Sequence, residues 1–510
     1  MNIVIVGGGA AGWLTAIYAK KIFPEKNIVL VESEEYGILG AGEGTTPNFI
    51  SFLNFLEIPV SDLIKNCQST IKSGIKFTNW SNDNSYYFHP FSSISLQSND
   101  YNFILENKYL ENDLVFSHYC ASLKNHTLKD YSFIEKISNK NFVPYAVNEN
   151  NQLEEYSSIA MHFDAKLLAN YLRLVGEKRG VIRKEGIVDK IFNDEDGYIY
   201  KIKTKKEEID TDFVFDCSGF KRLIIGNHYK TQWKSYSDIL PVKKAIPFFL
   251  EMDKEIPPYT EAIAMDYGWM WKIPLQHRYG CGYAFDSNLI SDEDAIKEIN
   301  NFLGFEPQYP RKEKGAFNFS PGCFEKIWIN NCLSVGLSSG FLEPLEATSI
   351  MQTIFTLKRF MTDKQNLYTR NNLIKEKFNN FYLNETEEIV DFLYLHYTTN
   401  KNNTTFWENF TTNNKMSEKI SYVLKVFKDK VLSDSFDLFK NTIFYAANYY
   451  YVLVGNKLID NDTMKKNAKF ILNDIKKENY EEILKNQDLT ITKLLTHNDF
   501  INQINKQYDY

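Results

Sequence analysis

The sequence predicts an α/β fold with a second sheet and a helical C-terminal region, and three patterns lead to this prediction. Residues 2–32 read as strand, glycine turn, helix and strand, which is the order of a βαβ unit. Residues 241–290 contain several short apolar runs that are typical of a second sheet. Beyond residue 362 the apolar positions recur with helical spacing, in the ranges 375–396, 416–432, 436–454 and 462–485.

The glycine turn in the first unit has the residues that a dinucleotide site needs. Gly7 permits a tight turn, Gly9 lets the backbone approach a pyrophosphate, and Gly12 lets the helix pack on the strand. Glu32 ends the next strand about twenty residues later, where a carboxylate binds a ribose hydroxyl. The sequence therefore predicts a Rossmann-like dinucleotide-binding core. A glycine turn that only packs well is the alternative, and it leaves Glu32 unexplained.

Length, charge and cysteine usage limit the class of protein. With 510 residues, 44% of them hydrophobic, the chain can bury a large core, and we expect two or more lobes. The net charge of −7 provides no basic surface for nucleic acid, and no apolar run is long enough to span a membrane. The six cysteines have no CxxC spacing, which argues against a metal site. Without a signal-peptide pattern, they indicate a cytoplasmic protein.

Segments just after the glycine turn contain residues suited to a ligand. Four glycines between 37 and 44 predict a loop of special geometry ahead of a helix at 48–56. Such a loop suits the flat ring of a flavin, or an ordinary flexible connection. Lys72 lies on a predicted strand at 69–80, where a lysine usually points to solvent. The aromatic run at 86–91 suits either stacking on a flat substrate or a plain core.

A polar, Asn-rich stretch at 92–150 separates this part from the elements that follow. A helix is predicted at 166–175, and residues 198–204 and 208–215 read as the strands of a hairpin. The second of these strands runs into small residues at 216–220. This places backbone at the carboxyl end of a sheet, where open α/β folds bind ligands.

One strand of the second sheet carries two tryptophans. The strands predicted in this sheet lie at 245–252, 262–266, 269–274 and 280–285. Trp269 and Trp271 alternate along their strand, so both indoles share one face, which is most often a core face.

A second glycine-containing loop leads into a helix. It follows an apolar run at 328–335 and precedes a helix predicted at 347–361. The first amides of that helix, at Thr348 and Ser349, suit an anion or the edge of a flavin. Glu346 directly precedes the helix and suits either helix capping or a functional role.

Together these segments resemble the flavin-dependent halogenases of the tryptophan halogenase family. The resemblance is close over residues 1–360 and looser in the helical C-terminal region. It is carried by Gly7-x-Gly9-x-x-Gly12-Trp13, the loop 40–47, Lys72 ahead of Phe77-x-x-Trp80, residues 162–165 and 216–220, Trp269-x-Trp271-x-Ile273-Pro274, and Glu343-Pro344-Leu345-Glu346. The Trp-x-Trp-x-Ile-Pro element together with the lysine and the glutamate makes the resemblance specific.

The resemblance implies a cofactor and a chemistry. The N-terminal core, similar to that of flavin monooxygenases, would bind FAD. Reduced FAD and O₂ would give a flavin hydroperoxide that oxidises a halide to hypohalous acid, which would pass down a tunnel to an electron-rich arene. Lys72 matches the family's essential lysine, which hydrogen-bonds or captures hypohalous acid. Glu346 matches the glutamate that polarises the oxidant or takes the ring proton.

The resemblance also assigns the remaining site residues. The cofactor-binding residues would be Gly7, Gly9, Ala10, Ala11, Gly12, Glu32, Ala41, Gly42, Gly336 and Leu345. The halide would bind at Thr348 and Ser349. Because Ala347 and Ser349 stand where the family commonly has Ser and Gly, the choice among chloride, bromide and iodide stays open. The substrate-binding residues would be His89, Phe91, Tyr449 and Tyr450, and the tunnel or gate residues would be Trp269, Trp271, Ile273 and Pro274.

The same resemblance bears on substrate, partners and domains. Residues 452–457 lack the acid that helps free-tryptophan halogenases grip the amino-acid group, so an indole- or phenol-like arene is expected instead. The sequence has no second dinucleotide fingerprint, so a separate flavin reductase would supply FADH₂ by diffusion. Residues 1–361 would form the FAD-binding core, with the substrate-side sheet inserted at approximately 90–155 and 225–290. Residues 362–510 would form a helical substrate-binding region, and a homo-oligomer is left open.

Two other functions stay open from the sequence. A flavin-dependent aromatic hydroxylase shares the FAD fold but does not need Lys72, Glu346 or the two-tryptophan element. A non-catalytic flavin-binding protein descended from the family would have no reason to keep Lys72 and Glu346. Formation of a halogenated product only when halide is present distinguishes a halogenase from both of these alternatives.

Overall fold

The computed structural model describes residues 1–35, 42–83, 85–91, 132–310, 315–412, 415–427, 442–459 and 485–507. Ala41, Cys120, most of the predicted helix at 462–485 and much of the stretch at 92–150 lie outside these residues. The chain folds into two compact units, each assembled from three segments. Unit 1 consists of Met1–Ser69, Phe163–Lys243 and Phe317–Glu387, and unit 2 of Thr70–His162, Lys244–Ala316 and Glu388–Tyr510.

The strands are numbered in chain order. They are β1 (Asn2–Val6), β2 (Asn27–Glu32), β3 (Glu43–Gly44), β4 (Thr70–Lys72), β5 (Gly74–Thr78), β6 (Tyr86–Pro90), β7 (Phe142–Val147), β8 (Leu153–Glu155), β9 (Ala160–Phe163), β10 (Ile182–Glu185), β11 (Val188–Asn193), β12 (Ile199–Thr204), β13 (Glu208–Asp210), β14 (Phe213–Asp216), β15 (Trp233–Ser235), β16 (Lys244–Glu251), β17 (Thr260–Met265), β18 (Gly268–Pro274), β19 (Arg278–Phe285), β20 (Phe317–Asn318), β21 (Gly322–Phe324), β22 (Trp328–Ile329), β23 (Cys332–Ser334), β24 (Gly340–Phe341) and β25 (Leu494–Thr496).

The helices are numbered in the same way. The α-helices are α1 (Ala10–Ile22), α2 (Pro47–Phe55), α3 (Val60–Asn66), α4 (Phe133–Ser138), α5 (Ala165–Lys178), α6 (Asp292–Leu303), α7 (Thr348–Thr362), α8 (Asn372–Tyr397), α9 (Thr405–Thr412), α10 (Glu418–Phe427), α11 (Ala446–Gly455) and α12 (His497–Gln507). Short 3₁₀ turns lie at Gly219–Lys221, Gly336–Ser338 and Lys364–Leu367, and a π-helical turn at Leu223–His228.

Unit 1 is built on a mainly parallel sheet with the strand order β10-β2-β1-β14-β23-β22. β1 lies between β2 and β14, and burial on both faces explains its unbroken apolar run. Val6 pairs with Asp216, so β1 and β14 end side by side. The glycine turn and the residues after Asp216 therefore leave the sheet at the same edge.

Helix α1 is buried along nearly its whole length in unit 1. Its residues from Gly12 to Ala19 are all buried, as in a helix covered by protein on several sides. Gly176 of α5 faces the indole of Trp13, and a Cβ on that glycine would lie 2.8 Å from the ring. The missing side chain lets the two helices approach closely and fixes α1 against the sheet.

The predicted strand at 208–215 is wrong, because the structure divides it between two sheets. β13 pairs antiparallel with β12, whereas β14 pairs in parallel with β1. Between them the amide of Asp212 donates to the carbonyl of Asn2 at 2.9 Å. The chain thus leaves the hairpin and enters the central sheet within two residues, a change that its apolar pattern conceals.

Unit 2 contains a largely antiparallel sheet, in which β16-β19-β18-β17-β5-β6 are neighbours in that order. Strands β16 to β19 match the four strands predicted between 245 and 285. One face of the sheet packs against α6 through a buried cluster that includes Ile246, Met270, Tyr283 and Ile299. This second sheet is the element that presents the two tryptophans.

The single strand predicted at 69–80 is also wrong, because it consists of β4 and β5. β4 pairs with β9, whereas β5 pairs with β17 and β6. Ser73 separates the two strands, and its amide donates to the carbonyl of Pro258 at 2.7 Å. Lys72 is consequently the last residue of a short strand and not the middle of a long one.

The described C-terminal part of the chain is helical. The predicted helices at 375–396, 416–432 and 436–454 overlap α8, α10 and α11. The polar connection predicted at 398–415 is wrong in that it contains α9, which buries Phe406 and Trp407. In the part of the chain that the structure describes, no helix is long and apolar enough to cross a membrane. The predicted class, an α/β core with a second sheet and a helical C-terminal region, is confirmed.

Candidate active site

The glycine turn of unit 1 has the geometry of a pyrophosphate site. Gly7 adopts φ +119°, and a Cβ there would lie 2.1 Å from the carbonyl oxygen of Cys217. Apart from its two chain neighbours, no described residue has an atom within 4 Å of the place that a Cβ of Gly9 would take, so this side of the turn is open to a phosphate. Gly9 is also the N-cap of α1, whose first turn contains no acidic residue to offset the helix dipole.

Three further cofactor residues predicted from the sequence, Ala10, Ala11 and Gly12, lie in or directly against this turn. Ala10 and Ala11 form the first turn of α1. A Cβ on Gly12 would lie 1.9 Å from the carbonyl oxygen of Gly7, so the helix packs tightly on the turn. Gly42 adopts φ +76°, and Ala41 lies outside the described residues.

Glu32 is held beside the glycine turn by a residue that the sequence prediction missed. Its Oε1 accepts a hydrogen bond from Nε of Arg183 at 2.5 Å, an ion pair that is largely buried. A Cβ on Gly8 would lie 1.5 Å from Oε2 of Glu32, so Gly8 must lack a side chain for the carboxylate to reach this position. The turn, the helix N-terminus and the held carboxylate together fit the pyrophosphate and ribose of FAD.

The residues after β14 organise the adjacent edge of the sheet. Asp216 is fully buried, and its carboxylate accepts from the amides of Ile224 and Ile225, both at 2.9 Å. Its other oxygen accepts from the hydroxyl of Ser218 at 2.6 Å. Burial raises the pKa of the Cys217 thiol well above its usual range. Ser218 and Cys217 are therefore structural in this arrangement.

The start of α7 in unit 1 is a strained turn with two buried glutamates. The amide of Ala347 donates to the carbonyl of Pro344 at 3.2 Å and closes a turn across Glu346. Ala347 itself adopts φ 54°, a left-handed conformation that is costly for alanine and frequent at functional sites. Glu343 and Glu346 are 1% and 2% exposed. Because such burial is rare for a carboxylate, both need polar surroundings.

Three of the predicted halide and cofactor residues, Gly336, Thr348 and Ser349, line a small cavity. Gly336 adopts φ +73°, and a Cβ there would lie 2.8 Å from Cβ of Ala11, so the second loop lies against α1. Leu345 is buried nearby in the chain. The cavity has a volume of about 10 Å³ and is lined by Gly336, Ser339, Gly340, Phe341, Leu342, Thr348, Ser349, Gln352, Thr353, Thr356 and Tyr382. Its size is that of one water molecule or one small ion.

Lys72 is buried in unit 2, which differs from the solvent-facing alternative left open by the sequence. Its side chain is 1% exposed, and Nζ lies 4.8 Å from the centroid of the Phe91 ring. This distance allows a cation–π interaction. The structure thus brings one predicted substrate-binding residue to the predicted catalytic lysine.

His162 is a neutral neighbour of Lys72. The hydroxyl of Thr70 donates to the carbonyl of Pro274 at 2.7 Å, so its oxygen accepts from Nδ1 of His162 at 3.0 Å. Nε2 then accepts from the hydroxyl of Thr260 at 2.8 Å. Burial and the Lys72 ammonium hold the pKa of His162 well below its usual range. His162 is therefore structural and links Thr70 of the lysine strand to Thr260 at the start of β17, while Thr70 itself bonds the end of the two-tryptophan strand.

His89 lies in an aromatic cluster between β6, α8 and α11. Its ring is 1% exposed and lies near those of Phe392, His396 and Tyr451, with centroids 5.7 to 6.3 Å apart. Nε2 of His89 is 3.0 Å from Nδ2 of Asn448. Oδ1 of Asn448 accepts from the amide of Tyr445, so Nδ2 is the donor and His89 Nε2 the acceptor. Asn448 is a contact that sequence reasoning missed.

Tyr449 and Tyr450 lie in the same helix, α11, and are 0% and 1% exposed. The ring of Tyr449 contacts Phe392 edge-on at 5.3 Å. Burial raises the pKa of both phenols well above the usual range. Both therefore stay neutral at physiological pH, which suits contact with an apolar ring better than recognition of a charged group.

Trp269 and Trp271 share one face of β18, as predicted, with ring centroids 6.0 Å apart. Small residues flank both indoles on the neighbouring strands: Ala264 and Ala284 pair with Trp269, and Ala262 and Gly282 with Trp271. A Cβ on Gly282 would lie 2.1 Å from the Trp271 ring. Ile273 and Pro274 continue the strand and are buried. The small neighbours give the indoles their space and fix their positions.

Comparison with known proteins shows what this architecture is similar to. The model of the tryptophan halogenase family matches residues 2–470. The chain is 31% identical over 434 residues to tryptophan 6-halogenase SttH of Streptomyces toxytricini, which covers 81% of each chain. It is 29% identical over 499 residues to tryptophan 7-halogenase RebH of Lentzea aerocolonigenes, which covers 90% of each. The solved structure of Xcc4156, a flavin-dependent halogenase from Xanthomonas campestris, matches with a TM-score of 0.84 and 26% identity, over 99% of this chain and 98% of that chain.

These matches extend over most of the chain and agree with the fold and with the dinucleotide geometry of unit 1. The Rossmann-like core is therefore an FAD-binding core, and the family implies FAD, a halide and O₂ as reactants with a small aromatic substrate. The chain belongs to the tryptophan halogenase family and is a flavin-dependent halogenase, an oxidoreductase.

Proposed function

We propose that this enzyme halogenates an electron-rich, indole- or phenol-like arene other than free tryptophan. Lys72 directs hypohalous acid, and Glu346 assists by polarising the oxidant or accepting the ring proton. The observation that carries the proposal is the burial of Lys72, which is 1% exposed. Removing an ammonium from water is costly, so a buried lysine at the end of a short strand calls for a functional reason.

The residues of unit 1 that fit FAD have distinct tasks. Gly7 and Gly9 allow the backbone to approach the pyrophosphate, and the N-terminus of α1 supplies its free amides. Glu32, oriented by Arg183, accepts from a ribose hydroxyl. When bound, reduced FAD together with O₂ and a halide supplies hypohalous acid. A separate reductase provides the reduced flavin by diffusion, since the chain has one dinucleotide fingerprint.

The Lys72 ammonium donates a hydrogen bond to the oxygen of hypohalous acid, which makes the halogen more electrophilic and points it outward. As the halogen bonds to the ring carbon, its bond to oxygen breaks and the oxygen leaves as hydroxide. Positive charge develops on the arene, and one proton must leave the ring carbon. The Glu346 carboxylate is the group assigned to take that proton. Because His162 is neutral, it places no second positive charge beside Lys72.

The halide is assigned to the N-terminus of α7. Free amides at Thr348 and Ser349 and the cavity of about 10 Å³ beside them suit a small anion. The left-handed Ala347 turns the chain so that the helix begins at Thr348. Competition between chloride, bromide and iodide measures which halide this site prefers.

An aromatic substrate is supported by the surroundings of His89 in unit 2. Phe91 and His89 provide ring faces, and Tyr449 and Tyr450 are neutral and buried. Residues 452–457 contain no acid that could pair with the ammonium of free tryptophan. A less polar arene therefore fits this region better than a zwitterion does.

The proposal is tested with the full chain, FAD, a flavin reductase, NADH and O₂. Chloride, bromide and iodide are each offered with a panel of indoles and phenols, and free tryptophan is the matched comparison. We expect a halogenated indole or phenol to form at least about tenfold faster than halotryptophan, because a buried charge without a partner costs several kcal/mol. Faster turnover of free tryptophan overturns the substrate proposal. A hydroxylated arene without halogen overturns the reaction.

A further inference from the structure

The strand that ends in Lys72 is held by a histidine from the last helix of unit 2. Nε2 of His497 accepts a hydrogen bond from the backbone amide of Ile71 at 2.8 Å. Nδ1 of the same ring donates to the carbonyl of Ile256 at 3.1 Å. A backbone amide can only donate and a carbonyl can only accept, so these two bonds fix both the orientation and the tautomer of the imidazole.

His497 takes the place of a neighbouring strand. β4 lies at the edge of its sheet and pairs on one side with β9. The amide of Ile71 points to the other side, where a buried N–H without a partner would be costly. His497 is fully buried, so water cannot replace it. The imidazole thus completes the hydrogen bonding of a strand that has only three residues.

Besides its pairing with β9, β4 is held by the side chain of Thr70. Thr70 bonds both His162 and the carbonyl of Pro274, as described above. Burial lowers the pKa of His497 to about 3, so its Nε2 keeps the lone pair that Ile71 needs throughout the physiological range. Because Thr70 and Ile71 are both held, the backbone position of the next residue, Lys72, is fixed independently of the contacts that its side chain makes.

We propose that His497 is a positioning residue for Lys72, acting through the peptide amide of Ile71. The inference rests on the proposed function of Lys72. His497 lies beyond residues 2–470, which the family model matches, so the bond between His497 and Ile71 lies partly outside the matched region. If the imidazole acceptor is lost, we expect β4 to shift. The enzyme would still produce hypohalous acid but would use less of it to halogenate the arene.

The test compares three variants of the full chain. His497→Leu removes the acceptor, whereas His497→Gln keeps a carbonyl oxygen that can accept from Ile71. Asn498→Leu is the matched control, because Asn498 lies next to His497 on the same helix and its side chain hydrogen-bonds the backbone of Ile256 and Lys254. For each variant we measure arene halogenated per FADH₂ oxidised, FAD affinity, and amide hydrogen exchange in the peptide that covers Thr70–Lys72.

His497→Leu is expected to lower the halogenated product per FADH₂ about tenfold, with FAD affinity within about twofold of the parent, since small displacements at a reacting group have large effects on rate. Exchange in β4 should increase. His497→Gln should restore most of both quantities, and Asn498→Leu should change neither. A wild-type product yield in His497→Leu overturns the inference. An equal loss of product yield in all three variants also overturns it, because such a loss indicates a purely structural role. If the parent forms no halogenated arene, the proposed function fails, and the exchange data still report whether His497 holds the strand.

Discussion

Consecutive glycines in the dinucleotide turn have different surroundings, and each has its own reason to lack a side chain. Gly7 needs its positive φ, whereas Gly8 makes room for the Glu32 carboxylate. Gly9 faces open space at φ −74°, a conformation that alanine adopts without strain. We therefore expect that the bound cofactor, and not the folded chain, requires glycine at position 9.

Gly9→Ala should separate binding from stability. In the FAD-free protein we expect an unfolding free energy that is unchanged or about 0.4–1 kcal/mol higher, because alanine restricts the unfolded chain. FAD affinity should fall at least about tenfold, since the new methyl group occupies the approach of the pyrophosphate. Thermal melts and FAD titration measure the two quantities. Parental FAD affinity in this variant would contradict the assignment.

Gly8→Ala is the matched comparison and should lose both properties. A Cβ at 1.5 Å from Oε2 of Glu32 displaces the carboxylate and disrupts its ion pair with Arg183. The spacing of Gly7, Gly9 and Gly12 predicts from local sequence the tight turn that the structure shows, and the ligand site itself stays a prediction. The roles of Gly8 and Arg183 were not predictable, because Arg183 meets Glu32 only through the pairing of β10 with β2.

Among the elements, β4 depends most on neutral histidines. Burial lowers the pKa of His497 to about 3, and that of His162 is also held well below its usual range. In the unfolded chain both titrate near 6.5. The unfolded state therefore binds more protons at mildly acidic pH, and the stability that these groups provide is fully present above about pH 6.5 and decreases as the pH falls toward 3.

This linkage predicts a measurable slope. From pH 6.5 to 4.5, His497 alone should reduce the unfolding free energy by about 2 kcal/mol, because the slope rises from half its limit at pH 6.5 to about 1.36 kcal/mol per pH unit. Denaturant melts across this range measure the slope in the parent and in His497→Gln, which has no titrating group at this position. The difference between the two slopes isolates His497. Equal slopes would show that His497 is not held neutral.

Helix α11 offers a second test at this scale. Asn448→Asp keeps an oxygen for the amide of Tyr445, so the cap and the stability should be retained. The variant replaces the N–H donor that faces His89 and should therefore turn the imidazole to its other tautomer. We expect KM for the arene to rise about fivefold or more, as for loss of one oriented hydrogen bond, with FAD affinity unchanged. An unchanged KM together with an unchanged ¹⁵N spectrum of His89 would refute the role of Asn448.

Element prediction succeeded where the pattern was local and failed where a tertiary partner decided. The strands and helix in residues 2–32 follow from apolar runs and glycines. The break at Ser73 follows from a bond to Pro258, and that at Asp212 from a bond to Asn2, and neither partner is near in sequence. Helix α9 was missed because its Thr- and Asn-rich surroundings hide the buried face of Phe406 and Trp407.

For the molecule as a whole, sequence order and spatial organisation differ. Each compact unit takes residues from the beginning, the middle and the later part of the chain. His497 reaches Ile71 across more than 400 residues. No local pattern predicts such a contact, whereas the family resemblance predicted the fold class and the chemistry from short motifs. The boundary placed at residue 361, between the core and the helical region, stays a prediction.

In the proposed function, Lys72 uses hypohalous acid that is made elsewhere in the protein. The most direct measurement follows both fates of the oxidant in Lys72→Met, with a β-diketone to trap hypohalous acid that escapes and an arene to record halogenation. Lys76→Met is the matched control, since Lys76 lies on β5 with its ammonium 4.4 Å from the Tyr86 ring centroid. We predict that Lys72→Met halogenates the trap at the parental rate while arene product falls at least about a thousandfold, and that Lys76→Met behaves like the parent. Two results would contradict this role of Lys72. One is arene halogenation that survives in Lys72→Met, and the other is loss of the trapped oxidant together with the arene product.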